Sequence, residues 1–366
     1  MAARAGYREH VAQPRYRGID LAVSGGQEGL SIAAKLLGDS PRPDLPSAPT
    51  DHFDGRRFFY PGRAETPCRQ RDLWHWLITR RAKLAPWTTP PHQPHTPAAE
   101  RVDGLRITWI GHATALIQIA ELNVLTDPVF ADTVSPLPGI GPKRAHPPGI
   151  AYADLPHIDV VLISHAHYDH LEAATIRALA RDHAPCFVAG LGLQAWLQAH
   201  NATRIATLDW WQHEPIGALT VTATPAKHWS RRGVFDRNRV LWCGYVIECG
   251  AQSVYFAGDT GYDDALFEAI ATRFTNLSCA LLPIGAYAPR IFMAAQHMNP
   301  AEAVQAFEAL APAWAIAIHF GTFRLTDESR EAPARDLAAA LSATQAARFI
   351  VPVFGVPIDM GRHAPD

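Results

Sequence analysis

The stretch Ser164-His165-Ala166-His167-Tyr168-Asp169-His170-Leu171 constrains this chain more than any other. It offers four metal-ligating side chains within six positions, directly after the apolar run Val160-Val161-Leu162-Ile163. That run is short, rich in β-branched residues and bounded by polar ones, which is the pattern of a buried strand. Beyond it, Leu171, Ala174, Ile176 and Leu179 recur at helical spacing and predict a helix over 171–179. The ligands therefore fall in a tight strand-to-helix loop. In extended backbone His165 and His167 point the same way, as two ligands of one metal would. Asp169 and His170, at the turn into the helix, can diverge toward a second. The competing reading is a histidine-rich polar turn without chemistry. A chance match to all four positions behind a buried strand is too improbable to sustain it.

The chain has 366 residues, 48% of them hydrophobic and 19% charged, enough for a sizeable core. A net charge of −2 gives no global field toward nucleic acid, and no basic excess supports a nuclease. Cys68, Cys186, Cys243, Cys249 and Cys279 are scattered without a CxxC pair, so they read as small apolar residues in a reducing compartment. Residues 1–20 are rich in Arg, Tyr and Gln and lack a signal-peptide core, and no apolar run is long enough to span a bilayer. These features predict a cytoplasmic protein that touches membranes, if at all, peripherally.

Residues 1–100 read as an N-terminal arm. A short helix is expected near 30–37, an amphipathic one over 72–87, and a Pro-rich linker over 88–97 in which His92 and His95 face solvent. Trp74, Trp76, Leu77 and Trp87, among basic residues, suit a lipid surface, whereas packing on the chain's own domain is the plainer alternative. The main domain runs from 101 to 360. Strands are expected at 105–110, 114–119 and 123–126, then at 160–163, 186–189 and 205–211, with a helix over 192–200 between the last two. A second series follows at 219–223, 242–248, 253–257, 280–284 and 314–318, with helices over 265–274 and from Asn299-Pro300 onward. No sequence repeat relates the two series. Two β-rich halves flanked by helices imply an α/β fold of two sheets face to face with helices outside.

His228, Asp259 and His319 each follow an apolar strand at a Gly- or aromatic-marked turn. Singly, each is an ordinary structural residue. With the loop they make five histidines and two aspartates, a donor set for two metals with an aspartate able to bridge them. All-N/O ligation suits zinc and leaves iron and manganese open.

The pattern His-x-His-x-Asp-His with later His, Asp and His resembles the metallo-β-lactamase superfamily. Closer matches lie in Thr108 to Thr114, Leu125-Thr126-Asp127-Pro128, Gly141-Pro142-Lys143-Arg144, Leu208-Asp209-Trp210-Trp211, Phe256 to Tyr262, Pro283 to Tyr287, Gln296-His297 and Ala317 to Phe323. Over residues 100–325 these look like the N-acylphosphatidylethanolamine-hydrolysing phospholipase D branch, and the match fades over 1–70 and after 330. The resemblance implies a four-layer αββα metallo-β-lactamase sandwich with an N-terminal extension. It implies two zinc ions: His165, His167 and His228 on one, Asp169, His170 and His319 on the other, Asp259 bridging. It further implies hydrolysis of a phospholipid phosphodiester by a water whose pKa the metals lower. Asp169 would orient that water, and His297 would orient phosphate or donate a proton. Tyr168, Lys143 and Arg144 are candidate substrate contacts, and family members of this kind look dimeric. The alternative is the same fold acting on a soluble ester, lactone or other phosphodiester; a non-catalytic metal or lipid binder is a different class again.

Overall fold

The computed structural model describes residues 44–62, 87, 98–137 and 139–360. The expected helices over 30–37 and 72–87 and the linker histidines lie outside these residues, apart from Trp87. Among the described residues, fourteen strands form two seven-stranded sheets. The first sheet is built from β1 (Leu105–Gly111), β2 (Thr114–Ile119), β3 (Leu122–Thr126), β4 (Val160–Ile163), β5 (Cys186–Gly190), β6 (Arg204–Leu208) and the last strand, β14 (Pro357–Asp359). The second contains β7 (His213–Ile216), β8 (Leu219–Thr224), β9 (Gly244–Cys249), β10 (Gln252–Phe256), β11 (Cys279–Pro283), β12 (Trp314–Ile318) and β13 (Phe349–Ile350). Their spatial orders are β14-β1-β2-β3-β4-β5-β6 and β13-β12-β11-β10-β9-β8-β7.

The α-helices among the described residues are α1 (Ala173–Asp182), α2 (Gln194–Ala199), α3 (Asp264–Arg273), α4 (Arg290–Met293), α5 (Pro300–Leu310), α6 (Ala332–Ala340) and α7 (Ala343–Ala346). Side-chain alternation sorts the strands into layers. Val160 and Leu162 of β4 meet Ile316 and Ile318 of β12 in the core between the sheets. Val161 and Ile163 face the other way, against Ile176 and Leu179 of α1 and Leu197 of α2. Ala315 and Ala317 of β12 likewise turn outward, onto Phe267 of α3 and Phe307 of α5. Each central strand is buried on both faces, which is why it reads as an unbroken apolar run. The result is a four-layer αββα sandwich.

Several expectations are corrected. The first helix begins at Ala173, not Leu171, because the Leu171 amide is taken by the His167 carbonyl (2.9 Å) within the ligand loop. The strand expected over 242–248 begins at Gly244; Trp242 is a buried loop residue whose indole N–H donates to the Ala226 carbonyl (2.7 Å). β7, with Pro215 in a short edge strand, carries little strand signal, and α6, α7, β13 and β14 had none. Part of the supposed arm is integral: Phe53 and Phe58 are buried in the inter-sheet core. His52 holds this segment down, between Asp51 (2.6 Å) and Asp209 (2.7 Å) and stacked on Trp210. No disulfide joins the four cysteines among the described residues.

Candidate metal centre

β1 and β3 run alongside β4, and β8 and β10 alongside β11 and β12, so all seven strands end on one rim of the sandwich. Every expected ligand sits just past one of those ends: 165–170 after β4, His228 after β8, Asp259 after β10 and His319 after β12. Carboxyl ends of parallel strands are where open α/β sheets gather their ligands.

His165 Nε2 lies 2.7 Å from His167 Nδ1, which lies 3.3 Å from His228 Nε2. The backbone has left the strand at Ser164, so the first two rings converge through different nitrogens rather than by strand alternation. Their outer nitrogens decide the chemistry. His165 Nδ1–H donates to Ser164 Oγ (2.9 Å), which itself donates to Asp127 Oδ2 (2.6 Å), and His228 Nδ1–H donates to the Gln296 carbonyl (2.9 Å). Each Nε2 is thereby a bare lone pair aimed at the same point. Burial depresses all three imidazoles, His167 to about 4, so they are neutral. Converging lone pairs repel unless a cation stands between them. Ligands around a zinc with bonds of about 2.0–2.1 Å stand roughly 3.3 Å apart; the His167–His228 edge meets that spacing and the His165–His167 edge is shorter.

The second trio is Asp169 Oδ2, His170 Nε2 and His319 Nε2, with edges of 3.3, 3.2 and 3.7 Å. His170 Nδ1–H donates to Asp127 Oδ2 (2.6 Å), again freeing Nε2. Burial opposes charge on His170 and His319, yet Asp259 and Asp169 outweigh it and hold both imidazoles above their ordinary range, His319 at about 9. Burial likewise works against ionised Asp169 and Asp259, and the His170 charge overrides it, holding both carboxyls well below the usual range. The site thus draws in positive charge. Asp259 stands between the trios: Oδ1 is 3.1 Å from His319 Nε2, and Oδ2 is 3.2 Å from His170, 3.8 Å from His228 and 3.9 Å from His165.

His297 faces Asp259 Oδ2 at 3.8 Å through Nδ1, a buried atom with no hydrogen-bond partner, and burial lowers its pKa to about 4. Tyr168 donates its hydroxyl to the Arg232 carbonyl (2.8 Å), with the Arg232 guanidinium over its ring. The Arg144 guanidinium donates to the carbonyls of Val129 (2.6 Å) and Ala131 (3.2 Å) through Nη2 and Nε, while its buried Nη1 has no hydrogen-bond partner among the described residues. Lys143 is exposed.

Two residues outside the expected set shape the centre. Asp127, at the end of β3, accepts from Ser164 N–H (2.7 Å) and Oγ–H and from His170, so one carboxylate aims a ligand of each trio. His112, in the β1–β2 turn, places Nε2 2.8 Å from Asp169 Oδ2 and its ring 4.0 Å from that of His319. The recurrence of an aspartate after β3 and after β10 was the signal available for Asp127. His112 carried none beyond its motif.

The beta-lactamase superfamily domain profile matches residues 122–320. The chain is 34% identical over 263 residues to an N-acyl-phosphatidylethanolamine-hydrolyzing phospholipase D of Caenorhabditis elegans, covering 69% of this chain and 74% of the relative. It belongs to the metallo-β-lactamase superfamily, as a metal-dependent hydrolase. An uncharacterized protein of Mycobacterium tuberculosis is 39% identical over 263 residues, covering 70% of this chain and 68% of that one. Within the superfamily the chain falls in the branch of the N-acylphosphatidylethanolamine-hydrolysing phospholipases D. The isothiocyanate hydrolase from Delia radicum gut bacteria shares the fold, with a TM-score of 0.57 at 21% identity over 69% of this chain and 98% of that one.

Proposed function

We propose that this protein is a dinuclear zinc phosphodiesterase that hydrolyses N-acylphosphatidylethanolamine to phosphatidic acid and an N-acylethanolamine. The observation that carries the dinuclear reading is the pair of trios flanking Asp259, in which the outer nitrogens of His165, His228 and His170 are tied so that their Nε2 atoms face the site. Likeness to the nematode phospholipase D over 263 residues supports the lipid substrate. Bound there, two divalent cations supply Lewis acidity to the phosphodiester and lower the pKa of water. His165, His167 and His228 would hold one; Asp169, His170 and His319 the other. The Asp169 carboxylate, fixed by His112, is placed to orient an attacking water and take up its hydrogen bond. The neutral His297 ring, with Nδ1 unpartnered beside Asp259, is placed to donate to a phosphoryl oxygen. Water attack on phosphorus breaks the bond to the ethanolamine oxygen and leaves the phosphate on the diacylglycerol.

The test is product analysis by mass spectrometry after incubating zinc-loaded protein with mixed micelles of N-acylphosphatidylethanolamine, beside His165→Ala. Metal-dependent release of both products is expected, absent from the variant. Cleavage of bis(p-nitrophenyl) phosphate without lipid turnover would keep the centre and transfer the reading to a soluble phosphodiester.

A further inference from the structure

Nine large apolar side chains are exposed among the described residues, and five of them lie on three loops that build the metal centre. Leu137 (58% exposed) and Ile140 (63%) cap the loop after β3, Val234 (50%) and Phe235 (58%) the loop after β8, and Ile291 (78%) lies on α4, after β11. These are held protrusions, not slack chain. Thr133 pairs with Lys143 across the base of the first, and the Ser135 hydroxyl donates to the Leu137 carbonyl (2.7 Å). Asn238 N–H donates to the Ser230 carbonyl (2.7 Å) across the base of the second, and Asp236 accepts from Gly233 N–H (2.7 Å) at its tip. Arg290 ties α4 down through Glu302 (2.7 Å) and the His297 carbonyl (2.9 Å).

Both larger tips flank one residue. The Tyr168 ring packs on Val129 and Val134 beneath the first, and its hydroxyl bonds the base of the second at Arg232. Tyr168 stands in the chain between His167 and Asp169, so both loops meet the segment that carries the candidate ligands. Charge accompanies them. Lys143, Arg231 and Arg237 are exposed on these loops, against the exposed carboxylates Asp132 and, farther from the tips in sequence, Asp154. Arg237 covers Trp229, which in turn meets His167 edge-on at 4.5 Å.

We propose that the three tips form a docking surface for an anionic phospholipid bilayer, seating the mouth of the metal centre on the membrane. The proposal rests on the lipid reading of this site. One or two apolar side chains per tip, set apart and interleaved with cations, suit insertion between headgroups. A protein interface would instead present a continuous apolar patch with charge depleted from its centre. Cations beside the tips add attraction to anionic lipid that salt screens.

The experiment is co-sedimentation of the full chain with vesicles of phosphatidylcholine, with and without phosphatidylglycerol, at low and high salt. Wild type is expected to sediment with the anionic vesicles and to be released by salt. The variant Leu137→Ser/Ile140→Ser/Val234→Ser/Phe235→Ser should partition roughly tenfold or more less well. Its circular dichroism and its turnover of bis(p-nitrophenyl) phosphate should match wild type. Arg231→Glu/Arg237→Glu should lose the preference for anionic vesicles. Equal sedimentation of wild type and the serine variant would overturn the proposal. So would absence of wild-type sedimentation, or a wild-type dimer on size exclusion that the serine variant converts to monomer without any change in vesicle binding. Vesicle docking without N-acylphosphatidylethanolamine turnover would sink the substrate reading and leave the surface standing.

Discussion

Asp127 holds no ligand position, yet His165 and His170 both depend on it. Its carboxylate is fully buried, where desolvation raises its pKa, and three donors are aimed at it from Ser164 and His170. Replacing it by Asn keeps the shape but puts an amide where one imidazole N–H and one hydroxyl must both find an acceptor. Asp127→Asn is therefore expected to weaken metal binding by roughly 10–100-fold, the usual effect of losing such a partner. Competition against a chromophoric chelator would measure it; unchanged affinity would show that the imidazoles are aimed without Asp127. Gly258 is a second such residue. It precedes Asp259 with φ +59°, and a Cβ there would stand 2.7 Å from Ser164 Cβ. Gly258→Ala should lose roughly 1–3 kcal/mol in chemical denaturation. It should also lower metal content, since it displaces Asp259 and Ser164 together.

At the scale of elements, strands and helices follow from local chemistry while their ends answer to the site. α5 shows the local side. Asn299 accepts from the Glu302 amide (2.8 Å), Glu302 reaches back to the Asn299 amide (2.9 Å), and Pro300 opens the helix. Asn299→Ala should cost about 1 kcal/mol in denaturant unfolding, with metal content unchanged. α1 shows the other side: its periodicity reaches back to Leu171, but the tight turn that gathers four ligands defers the first helical turn to Ala173. Spacing singled out side chains that the fold brings within reach of one another. It gave the wrong reason for the convergence of His165 and His167, which use different nitrogens in a non-extended loop.

Across the whole molecule, the two halves repeat one plan. β1 to β6 join in the senses antiparallel, antiparallel, then three parallel pairings, and β8 to β13 do the same. Asp127 after β3 and Asp259 after β10 stand at matching places, one behind the ligands and one among them. No described helix is long and apolar enough to cross a membrane. Stability of the whole should also carry an acid limb independent of the metals. His146 is buried against Phe354 and bonded to the Pro147 carbonyl, and burial lowers its pKa to about 4. The unfolded chain binds this proton near the ordinary value of 6.5 and the folded one does not. Its contribution is therefore fully present above pH 6.5 and is lost as pH falls toward 4. His146→Gln should flatten that part of the profile of unfolding free energy against pH; an unchanged slope between those limits would refute the assignment.

Sequence by itself determined the buried strands and singled out seven His and Asp side chains that the fold brings together. Those follow from runs of apolar residues and from residue types at fixed spacing, which neighbours along the chain suffice to read. Only the tertiary structure decided that Asp127 and His112 stand behind the ligands, because that depends on which strand ends share a rim. Arg144 shows the same limit: folding, not sequence, decided that two of its guanidinium nitrogens bond backbone carbonyls while Nη1 stays unpartnered among the described residues. The closing strands were likewise invisible, since β13 and β14 are strands only because β12 and β1 offer them free edges, and an edge is a property of the assembled sheet.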